Sequence, residues 1–211
     1  AREDTFKLFM ALAMIMNWDI QQLDVRSAFT NSLLEEDVYM WAPKGVKGLS
    51  RACKLLRALY GLKQSPRSWN QDFSNTLIEH GFERCPLDAC LFRKFVSDEQ
   101  GWVYLLLYVD DILVAGGDAA VEAVKEILKS LWAMDDFGRP KDYLGFEIEY
   151  VRVGECGNER AYCLLHQTRY ITEILKRFDM CGSRQISSPS EPGSKLCKAD
   201  QATDENGILP V

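Results

Sequence analysis

Trp102–Gly116 reads WVYLLLYVDDILVAG: two apolar runs, Val103–Val109 and Ile112–Ala115, flank the pair Asp110-Asp111. The pattern predicts a hairpin of two strands with the acids at its bend. A plain surface turn would carry Asp-Asp at little cost. Such turns usually recruit Gly or Asn, however, and the nearest glycines, Gly116-Gly117, lie past the second run. Removing one carboxylate from water is costly, and two side by side repel each other. Bound divalent cations would relieve both penalties.

A third acid stands in similar company. Trp18–Val25 reads as a strand with Asp24 near its end, in Leu23-Asp24-Val25. Three aspartates from two strand ends make an oxygen-rich site suited to Mg²⁺, which prefers carboxylates, phosphates and water. Such a site can hold two metals about 4 Å apart.

The rest of the chain supplies helices and further strands. Residues 5–16 place Phe6, Phe9, Met10 and Ala13 at helical spacing, and Glu35–Met40 is a short strand after the Asn31-Ser32 turn. Ser65-Pro66 starts a helix, serine as cap and proline at its first position, with Trp69, Phe73 and Leu77 on one stripe before Gly81. Asp118 is expected to cap a helix presenting Val121, Val124, Leu128, Leu131 and Trp132. Lys141–Val153 reads as a strand pairing with Tyr162–His166, and Thr168–Met180 as an amphipathic helix through Tyr170, Ile171, Ile174, Leu175 and Phe178. From Ser183 the chain turns rich in Ser, Pro, Gly and charge, the composition of a linker. The expectation is an α+β fold, helices packed on one face of a mostly antiparallel sheet, over 1–182, with an extended linker over 183–211.

Composition narrows the classes. The 211 residues are 47% hydrophobic, enough for a core, and no apolar run approaches the roughly 20 residues of a membrane span. No membrane partner is therefore expected. The formal charge of −6 counts against a stand-alone nucleic-acid binder, yet Arg51, Lys54, Arg57, Lys63 and Arg67 fall in an acid-free block from Arg51 to Asn70. That block predicts a local basic surface. Cys53, Cys85, Cys90, Cys156, Cys163, Cys181 and Cys197 form no CxxC, and the only histidines are His80 and His166, so no zinc site can be assembled. Reduced cysteines of an intracellular protein are the expectation. The start Ala1-Arg2-Glu3-Asp4 has no signal-peptide pattern and reads as a cut inside a longer polypeptide.

Several runs resemble, in order and spacing, the reverse transcriptases of copia-type long-terminal-repeat retrotransposons. Gln22-Leu23-Asp24-Val25-Arg26-Ser27-Ala28-Phe29 is similar to the family's first catalytic motif, and Leu34-Glu35-Glu36-Asp37-Val38-Tyr39-Met40 continues it. Cys53-Lys54-Leu55 and the run from Ala58 to Trp69 (ALYGLKQSPRSW) resemble the next block. Tyr108-Val109-Asp110-Asp111 is similar to the YVDD motif, and Tyr143-Leu144-Gly145 to a later strand motif. The resemblance covers roughly residues 5 to 190.

The resemblance implies a polymerase palm with fingers and thumb incomplete, performing RNA-directed DNA synthesis. It implies that Asp24 and Asp110 are the main ligands of two Mg²⁺ ions (Mn²⁺ able to substitute), with Asp111 as third carboxylate and the Val25 carbonyl assisting. Phe29 would be the steric gate where a 2′-hydroxyl would sit. Tyr60, Gly61 and Lys63 would lie along the templating base and incoming nucleotide, with Arg67 on the helix behind and Trp69 in the core. Tyr108 and Gly145 support their motifs. Implied partners are an RNA template, a DNA or RNA primer, deoxynucleoside triphosphates, and the remaining polyprotein: fingers, thumb, RNase H and integrase. The implied setting is a cytoplasmic virus-like particle with a nuclear phase. Thr30, Ser32 and Val46 depart from the family's usual leucine, glycine and phenylalanine. The alternatives are a catalytically inactive element remnant and, from the acids alone, another two-metal nucleotidyltransferase.

Overall fold

The apolar runs around Asp110-Asp111 form a hairpin at the middle of a six-stranded sheet, in a computed structural model that describes residues 1–43, 45, 52–154 and 160–184. The elements are α1 (Glu3–Ile15), β1 (Asp19–Val25), a short 3-10 turn (Ala28–Asn31), β2 (Leu33–Trp41), β3 (Ala52–Arg57), α2 (Ser65–Glu79), β4 (Glu83–Arg84), β5 (Leu91–Ser97), β6 (Gly101–Tyr108), β7 (Asp111–Gly116), α3 (Asp118–Leu131), β8 (Met134–Gly138), β9 (Asp142–Tyr143), β10 (Phe146–Val153), β11 (Arg160–His166) and α4 (Thr168–Arg177). The chain divides into two compact units, Ala1–Gln167 and Thr168–Val211. Among the described residues the second unit contributes only α4, as an amphipathic helix. The linker expected over 183–211 lies, from residue 185 onward, outside the described residues, as do Val46, Arg51, Cys156 and Cys197.

The large sheet runs β4-β5-β6-β7-β1-β8, with β11-β10-β9 and β2-β3 forming two smaller sheets. All the described pairings are antiparallel. The mixed, mostly antiparallel α+β expectation holds. The expectation of helices on one face does not. Leu105, Leu107, Ile112 and Val114 pack with Trp69, Phe73 and Leu77 of α2 and Val121, Val124 and Leu128 of α3. Their neighbours Leu106, Leu113 and Ala115 point the other way, into a second core with Phe6, Phe9, Met10 and Ala13 of α1. An unbroken apolar run in a strand exposes apolar side chains on both faces, so both must be covered. Burying each large aliphatic side chain contributes about 1.5–3 kcal/mol, so the β6–β7 hairpin is firmly anchored from both faces.

Local chemistry corrects three further expectations. Ser65 does not cap α2: it is the first helical residue, and its hydroxyl donates to the Leu59 carbonyl at 2.7 Å. Asp118 likewise opens α3 from within its first turn, where its charge favours the helix dipole, and Gly117 is the N-cap. The run Lys141–Val153 is not one strand. Leu144 and Gly145 adopt positive φ (51° and 78°) and fold it into β9 and β10. Unforeseen strands are β3, inside the basic block, β4, β5, whose Arg93 and Lys94 interrupt the apolar pattern, and β8, whose MDDFG reads as a turn.

The basic block is not a uniform basic surface. Lys54 pairs with Asp37 at 2.5 Å, and Arg57 donates to the carbonyls of Thr30 and Asn31 at 3.3 and 2.9 Å. Lys63 and Arg67 are exposed. Cys53, Cys85, Cys90, Cys163 and Cys181 are free thiols. No helix among the described residues is long and apolar enough to cross a membrane.

An ion cluster ties α3 to β8. Lys125, nearly buried, contacts Glu122 at 2.8 Å and Asp136 at 2.9 Å, and Lys129 also reaches Asp136 at 2.9 Å. Burial alone would raise the Asp136 pKa, but hydrogen bonds from Lys125, Lys129 and the Gly138 N–H outweigh it and hold it at about 2. A depressed carboxylate pKa stabilises the fold above its unfolded value, and that stability is lost as pH falls through the folded value. Asp136→Asn should therefore lower stability by about 1–2 kcal/mol at pH 7, after discounting for solvent screening, and make no difference near pH 2. Urea unfolding at the two pH values checks this.

Candidate active site

β1 and β7 pair so that Asp24 stands opposite Asp111, and β6 and β7 pair so that Tyr108 stands opposite Asp111. The bend between β6 and β7 is Val109-Asp110. Val109 has φ +60°, a costly conformation for a β-branched residue, which persists only where its surroundings enforce it. Two hydrogen bonds do so. The buried Trp69 indole N–H donates to the Val109 carbonyl at 2.6 Å, and the Val25 N–H donates to the Asp110 carbonyl at 2.9 Å. Strand pairing and these two bonds thus bring Asp24, Asp110 and Asp111 to one end of the sheet.

The acids repel one another. Burial, then the charges of Asp110, Asp111 and Asp135, push the Asp24 pKa up to about 6. Asp135 is Asp24's register partner on β8, and Arg26 pairs with it. Burial also raises Asp111, opposed by a hydrogen bond from Gln22 and reinforced by Asp110 and Asp142. Asp135 was missed from sequence because β8 was not read as a strand. Gln22 meets Asp111 across 89 residues, so no local pattern marks it.

Tyr60 is the strongest surprise. Its hydroxyl donates to Asp110 Oδ2 at 2.9 Å, and its ring lies 4.3 Å from that of Phe29, centre to centre. Burial and then the Asp110 hydrogen bond push the phenol up to about 12, so it is a proton donor across the neutral range. Phe29 is 6% exposed and belongs to the core formed with α2 and α3. Ser27, in the left-handed region at φ 53°, turns the chain so that Phe29 reaches inward.

The remaining predicted residues are placed as follows. Gly61 has φ +97° with open space where a Cβ would sit, so backbone conformation, and no crowding by protein, is what calls for glycine. Lys63 is exposed between Gly61 and α2, and Arg67, in the first turn of α2, lines a small cleft with Glu35, Glu36 and Asp72. Tyr108 is partly exposed beside the bend. Gly145 sits in the β9–β10 turn, where its carbonyl accepts from Gln167 at 3.5 Å. Ser32 is fully buried, and its hydroxyl has no partner. An orphaned buried hydroxyl costs about 1–3 kcal/mol, and the extended backbone at Ser32 (φ −91°) suits any residue. Ser32→Ala is expected to raise stability by about 1 kcal/mol in urea unfolding.

Among the described residues, no group of three His, Cys, Asp or Glu side chains is arranged to hold a metal ion. Asp110 accepts a hydrogen bond from Tyr60, and one oxygen of Asp111 accepts from Gln22. The donor set still fits a divalent cation chemically. It is all carboxylate oxygen, partly buried, with mutual repulsion that a cation would relieve.

Comparison with known proteins agrees with the motifs. A family model described as "Reverse transcriptase (RNA-dependent DNA polymerase)" matches residues 1–192. The retrovirus-related Pol polyprotein from transposon TNT 1-94 of Nicotiana tabacum is 34% identical over 198 residues, covering 92% of this chain and 14% of its own length. That from transposon RE1 of Arabidopsis thaliana is 33% identical over 217 residues, covering 99% and 14%. The transposon Ty1-NL2 Gag-Pol polyprotein of Saccharomyces cerevisiae is 26% identical, covering 93% and 11%. The chain thus spans about a seventh of the two plant polyproteins it matches. No solved structure matches it.

Proposed function

This chain belongs to the reverse transcriptase (RNA-dependent DNA polymerase) family, as the region found in copia-type retrotransposon Pol polyproteins, and on that premise we propose that it is the palm that joins deoxynucleotides to a primer 3′-hydroxyl on an RNA template. The observation that carries this is the register pairing of Asp24 with Asp111, with Asp110 anchored beside them through its own carbonyl. Three carboxylates brought together at one end of the sheet are the donor set such chemistry requires.

Asp24, Asp110 and Asp111, with the Val25 carbonyl, would hold two Mg²⁺ ions (Mn²⁺ substituting), which when bound activate the primer hydroxyl and stabilise charge on the phosphates. The chain's own residues prepare that site. Trp69 and Val25 fix the backbone of the bend, so what remains to move when substrate arrives is the acid side chains and Tyr60. Tyr60 lies over Phe29 and on Asp110. For the Phe29 ring to meet a sugar, Tyr60 must give up its hydrogen bond to Asp110 and turn aside. Gly61 and Lys63 then border the nucleotide and templating base, and Arg67 the template side. The partners in this reading are RNA template, primer, deoxynucleoside triphosphates and the flanking polyprotein, with residues 1–182 as palm. The setting is a cytoplasmic virus-like particle with a nuclear phase.

The test is primer extension on an RNA template by a Pol polyprotein carrying this chain. Extension that requires Mg²⁺ or Mn²⁺ and stops with chelator supports the reading. Absence of extension by a folded polyprotein favours the inactive remnant. For the gate, Phe29→Ala is expected to raise ribonucleotide incorporation at least about tenfold relative to deoxynucleotide, since a steric clash is removed. Unchanged sugar selectivity would leave Phe29 a core residue only.

A further inference from the structure

Gln22 and Asp24 are two residues apart on β1, so their side chains leave the same face of the sheet. Asp24 faces Asp111 in register, which sets Gln22 on the diagonal from Asp111. Diagonal neighbours on adjacent strands are about 7–8 Å apart, a gap that long side chains span and short ones do not. Gln22 spans it: its amide Nε2 donates to Asp111 Oδ1 at 2.8 Å. No other protein donor reaches that carboxylate among the described residues. The rest of Asp111's surroundings push against it, with Asp110 and Asp142 adding negative charge.

We propose that Gln22 is a positioning residue, whose amide orients the Asp111 carboxylate toward a divalent cation shared with Asp24 and Asp110. The proposal rests on reading these acids as a cation site. The chemistry of the amide is the reason for glutamine. A lysine or arginine on the same diagonal would orient Asp111 but cancel its charge and expel the cation. A neutral donor fixes one oxygen and leaves the full negative charge for the metal. Donors behind metal ligands commonly change metal affinity or activity by about 10–100-fold when removed.

The probe is Mn²⁺ itself, titrated into the chain and followed by the electron paramagnetic resonance signal of the free ion. Gln22→Met keeps the length and volume and removes the donor. Gln22→Asn keeps the amide but is too short to reach. Both variants are expected to bind Mn²⁺ about tenfold more weakly than the unaltered chain, with urea midpoints unchanged. In the polyprotein, the Mg²⁺ concentration for half-maximal extension should rise by a similar factor. Unaltered Mn²⁺ affinity in both variants overturns the proposal while leaving the cation site standing. A lowered urea midpoint with unaltered affinity gives Gln22 a purely structural role and overturns it too. If the unaltered chain binds no Mn²⁺, or Asp24→Asn binds it equally well, the cation reading fails and the proposal falls with it.

Discussion

Asp110→Asn is expected to reduce templated nucleotide addition by about 10³-fold or more while leaving the fold intact or slightly steadier. The two halves of that expectation have one cause. Asp110 sits at a bend held by backbone and indole hydrogen bonds that do not involve its side chain, so the bend survives the change. Asparagine can still accept from the Tyr60 hydroxyl, which now touches Asp110 Oδ2. What disappears is one negative charge from a cluster that adds to burial in raising Asp24 to about 6. Removing it eases the folded state and takes one carboxylate from the proposed cation site. Single-turnover extension in the polyprotein, alongside the thermal midpoint of the chain, measures both. Extension at the original rate would remove Asp110 from the chemistry.

Trp69→Ala is expected to carry the largest stability cost, about 3–5 kcal/mol. Trp69 is 1% exposed, packs against Phe73 and Trp132 with ring centres 5.2 and 5.9 Å away, and donates to Val109. Its loss opens a cavity and frees the strained Val109 at once. Trp69→Phe separates the two effects. It keeps most of the packing and drops only the hydrogen bond, so it should cost about 1–3 kcal/mol. Its extension rate should nevertheless fall well below that of the unaltered chain, because the bend carrying Asp110 is no longer pinned. Equal rates would show that the indole donor serves stability alone.

The apolar runs before Asp24 and around Asp110-Asp111 placed the acids at strand ends, while a plain surface turn stayed open for the pair. Asp24 and Asp111 were each placed at a strand end, and the two strands pair there. Legibility failed where the signal was non-local. The β6–β7 apolar runs told of burial but not that α1 would cover one face and α2 and α3 the other. The MDDFG of β8 carries turn residues, so only strand pairing reveals Asp135 next to Asp24. Tyr60 meets Asp110 across 50 residues of sequence, and Gln22 meets Asp111 across 89. Neither contact has a local pattern. Gln22 became visible only through the register, which sets the diagonal it spans.

Asp24, Asp110 and Asp111 are proposed to hold the catalytic cations of a templated polymerase. The most direct measurement is anomalous scattering from Mn²⁺ in crystals of the polyprotein with RNA template, primer and a deoxynucleoside triphosphate. Manganese peaks bounded by these three carboxylates are expected, with Tyr60 turned off Asp110 and the Phe29 ring against the sugar. Manganese bound elsewhere, with Tyr60 still on Asp110 in the presence of nucleotide, would contradict it.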